Sequence, residues 1–314
     1  MTTAPAIDIT DLTIRFGEVT ALDAVSAAIA PGELFGFIGP DGAGKTTLLR
    51  TLVTLLVPDS GSARVLGHDV VRDLWVLRTK VGYMPGRFSL YPDLSVKENL
   101  TFFASVFGTT PEAQRAMIAP IWNQLEPFAS RRAGALSGGM KQKLALCCAL
   151  VHRPEILFLD EPTTGVDAVS RREFWDLLVR LREGGLTIVV STPYMDEASR
   201  CDRVALMQHG RLLLTDTPGA IRKSYPRPLF AVRAADRLST LTILRSFPHA
   251  AAVWPFGEVV HYTDARTDAA TGTIMAELAA HAQAAGAPPL EMAPIAAGIE
   301  DAFMWHMVRE GQAA

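Results

Sequence analysis

With 314 residues, 49% of them hydrophobic, the sequence is long enough for one large domain and a smaller second one. Its formal net charge is −3 and it holds no block of five or more Lys and Arg residues, so nothing in it reads as a nucleic-acid footprint. The longest apolar runs, such as 144–151, fall far short of the ~20 residues that span a bilayer, and the opening MTTAPAIDIT lacks the basic-then-apolar order of a signal peptide. Any membrane role is therefore expected to come through a partner.

In chain order, residues 6–38 alternate apolar and polar positions with turns at Phe16-Gly17 and Pro31-Gly32, a pattern that predicts strands. The last of these runs, 34–38, leads into GPDGAGKT (39–46), followed by a helical pattern over 46–56. A strand, a Gly-rich loop and a helix in that order form a phosphate cradle. Gly39, Pro40, Asp41, Gly42, Ala43 and Gly44 let the backbone N–H groups wrap the oxygens of a polyphosphate. Lys45 offers a point charge to the β- and γ-phosphates, Thr46 a hydroxyl to Mg²⁺, and Thr47 continues the same turn of helix.

The stretch 95–151 reads as mainly helical, with Ser95 and Glu98 in capping-box spacing at its start. Within it lies LSGGM (136–140), where Ser137, Gly138 and Gly139 open a helix and so form a second anion-binding turn. The apolar run 156–159 predicts a buried parallel strand with Asp160 and Glu161 at its C-terminal end, where α/β sheets bind ligands. Asp160 is placed to hold Mg²⁺ through water, and Glu161 to polarise an attacking water. A helix over 169–182 and strands over 186–191, 204–208 and 211–215 complete an α/β core.

Prolines in SYPRPLF (224–230) mark a linker. The segments after it read strand, helix, strand, strand, helix, strand, an order that permits a small ferredoxin-like α+β domain. A final helix over 299–309 begins with Glu300 and Asp301, which suits a helix N-terminus. The boundaries expected are 1–224 for a nucleotide-binding domain and 225–314 for an accessory domain. Of the three cysteines, Cys147 and Cys148 lie in an apolar helix as small hydrophobes, and no Cys/His spacing suggests zinc.

The ordered set GPDGAGKT, LSGGM and LFLDEP (157–162) resembles the ATP-binding subunits of ABC transporters over about residues 6–222. LSGGM is the most specific part of the match. The resemblance implies a P-loop NTPase fold with a helical subdomain at about 88–152, and a Mg-dependent ATPase coupled to transport. It implies a two-subunit sandwich in which each ATP lies between one chain's phosphate loop and the other's LSGG. It further implies that Phe16 stacks on adenine, that Asp167 in TTGVDA (163–168) crosses the dimer interface, and that Glu161 is the catalytic residue. The implied partners are membrane-spanning permease subunits and a second cassette, which would hold the chain at the cytoplasmic face of the membrane. The IED sequence at 299–301 with its aromatic neighbours is similar to the endings of type-2 exporter ATPases. The whole is most similar to the first of two cassettes fused in bacterial multidrug exporter ATPases. A soluble ABC ATPase without a pore and a regulatory nucleotide-binding subunit are the alternative readings.

Two positions depart from that family. VGYMP (81–85) is followed by Gly86 where most relatives have Gln near the metal and the attacking water. IVVSTPYM (188–195) has Pro193 where most have a His that contacts the γ-phosphate. The expected consequence is a site that binds ATP but hydrolyses it weakly.

Overall fold

The segments Leu34–Ile38, Ile156–Asp160 and Thr187–Thr192 are buried at every position. Strands covered on both faces are mainly apolar, with Asp160, Ser191 and Thr192 at their C-terminal ends, and these form the middle of the main sheet. The computed structural model describes residues 4–87, 89–233 and 236–311, the side chains of 308–311 excepted. It divides into two units between Pro218 and Gly219.

In chain order the first unit holds β1 (Ile7–Phe16), β2 (Val19–Ile29), β3 (Leu34–Ile38), α1 (Lys45–Leu52), β4 (Ser60–Val65) and β5 (His68–Asp69). There follow α2 (Leu74–Lys80), β6 (Val81–Met84), α3 (Val96–Val106), α4 (Arg115–Leu125) and α5 (Gly138–Leu150). Then come β7 (Ile156–Asp160), α6 (Ala168–Glu183), β8 (Thr187–Thr192), β9 (Arg203–Gln208) and β10 (Arg211–Asp216). The six-stranded sheet has the order β10-β9-β3-β8-β7-β6 and is parallel except where β10 pairs with β9. A four-stranded antiparallel sheet, β2-β1-β4-β5, comes from the N-terminal part.

One apolar core joins the two sheets through α1. Leu48, Leu49 and Leu52 pack with Ile9 and Leu22 from the smaller sheet and with Phe35 and Phe158 from the larger. Each such side chain contributes about 1.5–3 kcal/mol by leaving water. This burial fixes the helix whose first turn meets the phosphate loop.

The helical part is α3, α4 and α5. Ser95 caps α3 as its spacing predicts: Ser95 Oγ accepts from Glu98 N at 3.2 Å, and Glu98 Oε2 accepts from Ser95 N at 2.8 Å. Within the stretch 95–151, residues 111–114 form turns and α4 begins only at Arg115. Helix α1 likewise stops at Leu52, short of residue 56.

Helix α7 (Pro218–Lys223) occupies the boundary. The second unit runs β11 (Leu229–Arg233), α8 (Arg237–Arg245), β12 (Ala250–Phe256), β13 (Val259–Asp264), α9 (Thr271–Ala284), β14 (Glu291–Ile295) and α10 (Ile299–Gly311). Its strands pair in the order β12-β13-β11-β14, all antiparallel. Phe230, Val232, Leu244, Tyr262, Ile274 and Leu278 form a core of its own. At the start of α10, Asp301 Oδ1 lies 2.6 Å from His261 Nδ1 and Asp301 Oδ2 accepts from Gly298 N at 2.8 Å. Burial raises the Asp301 carboxyl, but these bonds outweigh it and hold the group below its usual range. Asp301 thus fastens α10 to the sheet as well as opening a helix.

Because each unit closes its own core, a chain ending at Ser224 should fold and melt in one cooperative transition followed by circular dichroism. A broad, non-cooperative melt would show that the first core depends on later residues.

Candidate nucleotide site

The loop between β3 and α1 is held by close backbone approach. A Cβ on Gly39 would fall 2.0 Å from the Met207 carbonyl oxygen, so only glycine fits there against β9. Gly44 caps α1 at φ 101°, in the left-handed region that disfavours a side chain, and a Cβ there would fall 2.5 Å from the Ala21 oxygen. The loop is also tied to β8, since Gly39 N donates to Thr192 O at 3.3 Å.

Lys45 is 3% exposed. Its Nζ donates to the carbonyls of Gly39 (2.8 Å) and Pro40 (2.9 Å) and lies 3.4 Å from Glu161 Oε1. Thr46 Oγ1 donates to Asp160 Oδ1 at 2.9 Å, and Ser191 Oγ donates to the same oxygen at 2.7 Å. Ser191 also receives Glu161: Glu161 N lies 3.1 Å from Ser191 Oγ and 3.0 Å from Ser191 O. Asp160 is buried at the end of β7. Glu161 turns out of the strand at φ 49°, a strained conformation for a residue with a side chain, and its carboxylate is thereby carried to the Lys45 ammonium.

Lys45, Thr46 and Glu161 border an open cavity of about 450 Å³ whose wall also includes Asp41, Gly42 and Thr47, while Asp160 and Ser191 are buried behind it. Gly44 and Ala43 complete the loop side, and Val19, Thr20 and His209 the other. Phe16, at the end of β1, is 52% exposed but is not part of this wall. Neither are Ser137, Gly138 and Gly139. They open α5, where Ser137 Oγ accepts from Met140 N at 3.4 Å, and Asp167 similarly caps α6 through Val169 N and Ser170 N.

The donor set fits Mg²⁺. A hydroxyl from Thr46 and a carboxylate from Asp160 are hard oxygen ligands, and Mg²⁺ is commonly held by one or two such groups together with substrate phosphates. Among the described residues no group of three or more His, Cys, Asp or Glu forms a cage of its own, so phosphates and water would supply the rest.

Gly86 follows β6 directly beside this centre. A Cβ there would fall 2.9 Å from the Asp160 carbonyl oxygen and 3.7 Å from Glu161 Cβ. The position thus lacks a functional side chain and also lacks room for one unless the backbone shifts. Pro193 follows β8 and supplies neither a donor nor a titrating group. Two neighbours escape sequence reasoning. Ser191 ends the strand expected over 186–191, and nothing local marks its hydroxyl as a partner of Asp160. Tyr83 of β6 stands near Asp160, with its phenol pushed up by burial and by the Asp160 charge and so kept neutral. The cysteines are buried and free, and burial raises the Cys147 thiol to about 12.

The ABC transporter domain profile matches residues 22–164. Probable multidrug ABC transporter ATP-binding protein YbhF of Escherichia coli K12 is 44% identical over 218 residues, 69% of this chain and 38% of that protein. Nod factor export ATP-binding protein I of Paraburkholderia xenovorans is 42% identical over 219 residues, 69% of this chain and 72% of that one. The chain thus matches well under half of YbhF's length. Among solved structures, cbiO1 from Clostridium perfringens, part of the ABC transporter complex cbiONQ, has a TM-score of 0.64 at 26% identity and covers 70% of this chain and 92% of its own. The dimeric, post-hydrolysis ATP-binding cassette MJ0796 with ADP and Pi has a TM-score of 0.60 at 26% identity, covering 67% and 98%. The chain belongs to the ABC transporter family, as one of its ATP-binding cassettes.

Proposed function

We propose that this protein is the ATP-binding subunit that energises an ABC export complex of the multidrug kind, at the cytoplasmic face of a membrane. The observation that carries this reading is the convergence of Lys45, Thr46 and Glu161 on one cavity, with the buried Asp160 bonded to Thr46 behind its wall, in a chain of this family. The similarity to YbhF supports the multidrug cargo class. Lys45 and the backbone N–H groups of 42–47 bind phosphate charge. Asp160 and Thr46 would hold Mg²⁺, and Glu161 would orient and polarise the attacking water.

Among the described residues, no helix is long and apolar enough to cross a membrane; permease partners are supported by the similarity to transporter ATP-binding proteins. A groove of about 380 Å³ supports that partnership. Its walls include Leu55, Met84, Leu90, Phe103, Phe107 and His152, between the end of β6 and helices α3 and α5. Such an apolar trough, beside the end of β6 at Met84, suits an amphipathic helix from a permease. The further partner is a second cassette: Ser137, Gly138 and Gly139, which lie outside their own chain's cavity wall, would close the γ-phosphate side of another chain's site. Gly86 and Pro193 make this chain's own site the weaker one, since loss of a single transition-state donor commonly costs ~10²–10³ in rate.

Lys45→Ala should weaken ATP binding by roughly 10–100-fold, the worth of a charge-assisted contact. Glu161→Gln should leave affinity intact, abolish turnover and trap an ATP-bound dimer. Equilibrium nucleotide titration and size-exclusion chromatography read both, and full hydrolysis by the Glu161→Gln protein would rule out its role. In a complex with an intact-motif cassette, Ser137→Arg should remove most activity while leaving this chain's own ATP affinity unchanged. Lys45→Ala should harm that complex less. Equal losses from the two substitutions would contradict the asymmetry.

A further inference from the structure

Beyond β8 the chain passes Pro193 and Tyr194 into a 3-10 turn, Met195–Arg200, that carries two acids. Asp196 is exposed, whereas Glu197 is 3% exposed. A buried carboxylate in a connecting turn is costly unless its oxygens are satisfied, and here both are. Oε2 accepts from Thr192 Oγ1 at 2.5 Å, at the last residue of β8, and Oε1 accepts from Thr163 Oγ1 at 2.8 Å, just after Glu161. Tyr194 N donates to Thr192 Oγ1 at 3.1 Å. Arg171 of α6 closes the arrangement. Its Nε lies 3.9 Å from Glu197 Oε1, its guanidinium 3.7 Å from Asp196, and its centre 4.9 Å from the Tyr194 ring.

The segment that Thr163 begins leads straight to the LSGG turn. Thr164 N and Val166 N donate back to Glu161 O and Thr163 O, both at 3.2 Å, and Asp167 caps α6. A Cβ on Gly139 would fall 2.6 Å from Ser170 Oγ, and one on Gly138 would fall 3.5 Å from the Gly165 oxygen. Contacts therefore run without a gap from the end of β8, which also holds the phosphate loop through Gly39 N, to the Ser137–Gly138–Gly139 turn.

We infer that Glu197 is a positioning residue that sets the place of the Ser137–Gly138–Gly139 turn from the place of the β8 end, and so links the nucleotide site of this chain to the surface it lends to a second cassette. The link to a second cassette rests on the function proposed above. Glu197 is buried and is not part of the wall of the nucleotide cavity. It acts by holding two threonines from different segments on one carboxylate, so that the segment 163–170 cannot move independently of β8.

Hydrogen exchange by mass spectrometry on the full chain tests the clamp, with wild type, Glu197→Gln and Glu197→Ala compared. Glu197→Ala should raise exchange roughly tenfold or more in residues 164–170 and in the first turns of α5, as loss of a bond to a charged group predicts. Residues 39–48, the second unit and ATP affinity should be unchanged. Glu197→Gln should restore protection, because its amide still accepts from one threonine and donates to the other. In a Glu161→Gln background, Glu197→Ala should also weaken ATP-driven dimerisation by roughly tenfold or more. Unchanged exchange in 164–170 would overturn the inference. So would a rise spread evenly through the first unit with a matching loss of ATP affinity, which marks a packing role alone. If the Glu161→Gln chain itself fails to dimerise with ATP, the proposed sandwich is wrong, while the exchange pattern still decides the role of Glu197.

Discussion

One carboxylate oxygen organises the nucleotide site. Asp160 Oδ1 accepts from Thr46 at the start of α1 and from Ser191 near the end of β8, while Asp160 itself ends β7. Three segments far apart in sequence are thereby fixed to one buried atom. The helix cannot drift, because Leu48, Leu49 and Leu52 are buried between two sheets. The strands cannot drift, because β7 and β8 are buried throughout and paired in register, Asp160 opposite Ser191. A metal bound by Thr46 and Asp160 would meet ligands already placed, at little ordering cost. The strained φ of Glu161 follows from the same constraint. The chain must leave β7 at once so that one acid stays in the sheet and the next reaches the cavity.

That rigidity gives Gly86 and Pro193 their meaning. The loop after β6 closes so tightly on Asp160 that a Cβ at Gly86 meets a carbonyl oxygen, which makes a simple Gln replacement at that position a change of backbone as well as of side chain. Pro193 leaves the end of β8 without a donor toward the cavity, yet the turn that follows is strongly organised around Glu197. On the proposed reading, this side of the cassette has kept the parts that bind ATP and set geometry, and has lost parts that act on the transition state. Binding and turnover are separable because ground-state phosphate charge is met by Lys45 and backbone N–H groups, whereas rate depends on contacts that strengthen only as the bond breaks.

The parts legible in sequence are those with local cause. GPDGAGKT reads as a phosphate loop because glycines at fixed offsets are demanded by backbone approach, and the structure shows those approaches at Gly39 and Gly44. The capping box of Ser95 and Glu98 is equally local, and the continuous apolar runs revealed the central strands. What could not be read is set by distant partners. Ser191 sits in a strand whose apolar pattern conceals a hydroxyl aimed at Asp160. Glu197 lies in an acidic surface-like stretch, MDEAS, and its burial depends on Thr163 and Thr192. The short elements β4, β5 and α2 have no strong periodicity and take their form from pairing with β1 and packing near Thr54. Phe16 lies at the end of β1, outside the cavity wall, so its stacking role stands as a proposal from resemblance.

The central claim is that the site built on Asp160 binds ATP firmly but is poorly equipped to cleave it. A single-turnover measurement on the protein alone tests this most directly, with protein in excess over radiolabelled ATP and Mg²⁺ present. The account predicts saturable binding, with the bound nucleotide recovered almost entirely as ATP over the time in which an intact-motif cassette converts it to ADP. Complete conversion of the bound ATP at the rate of such a cassette would contradict it.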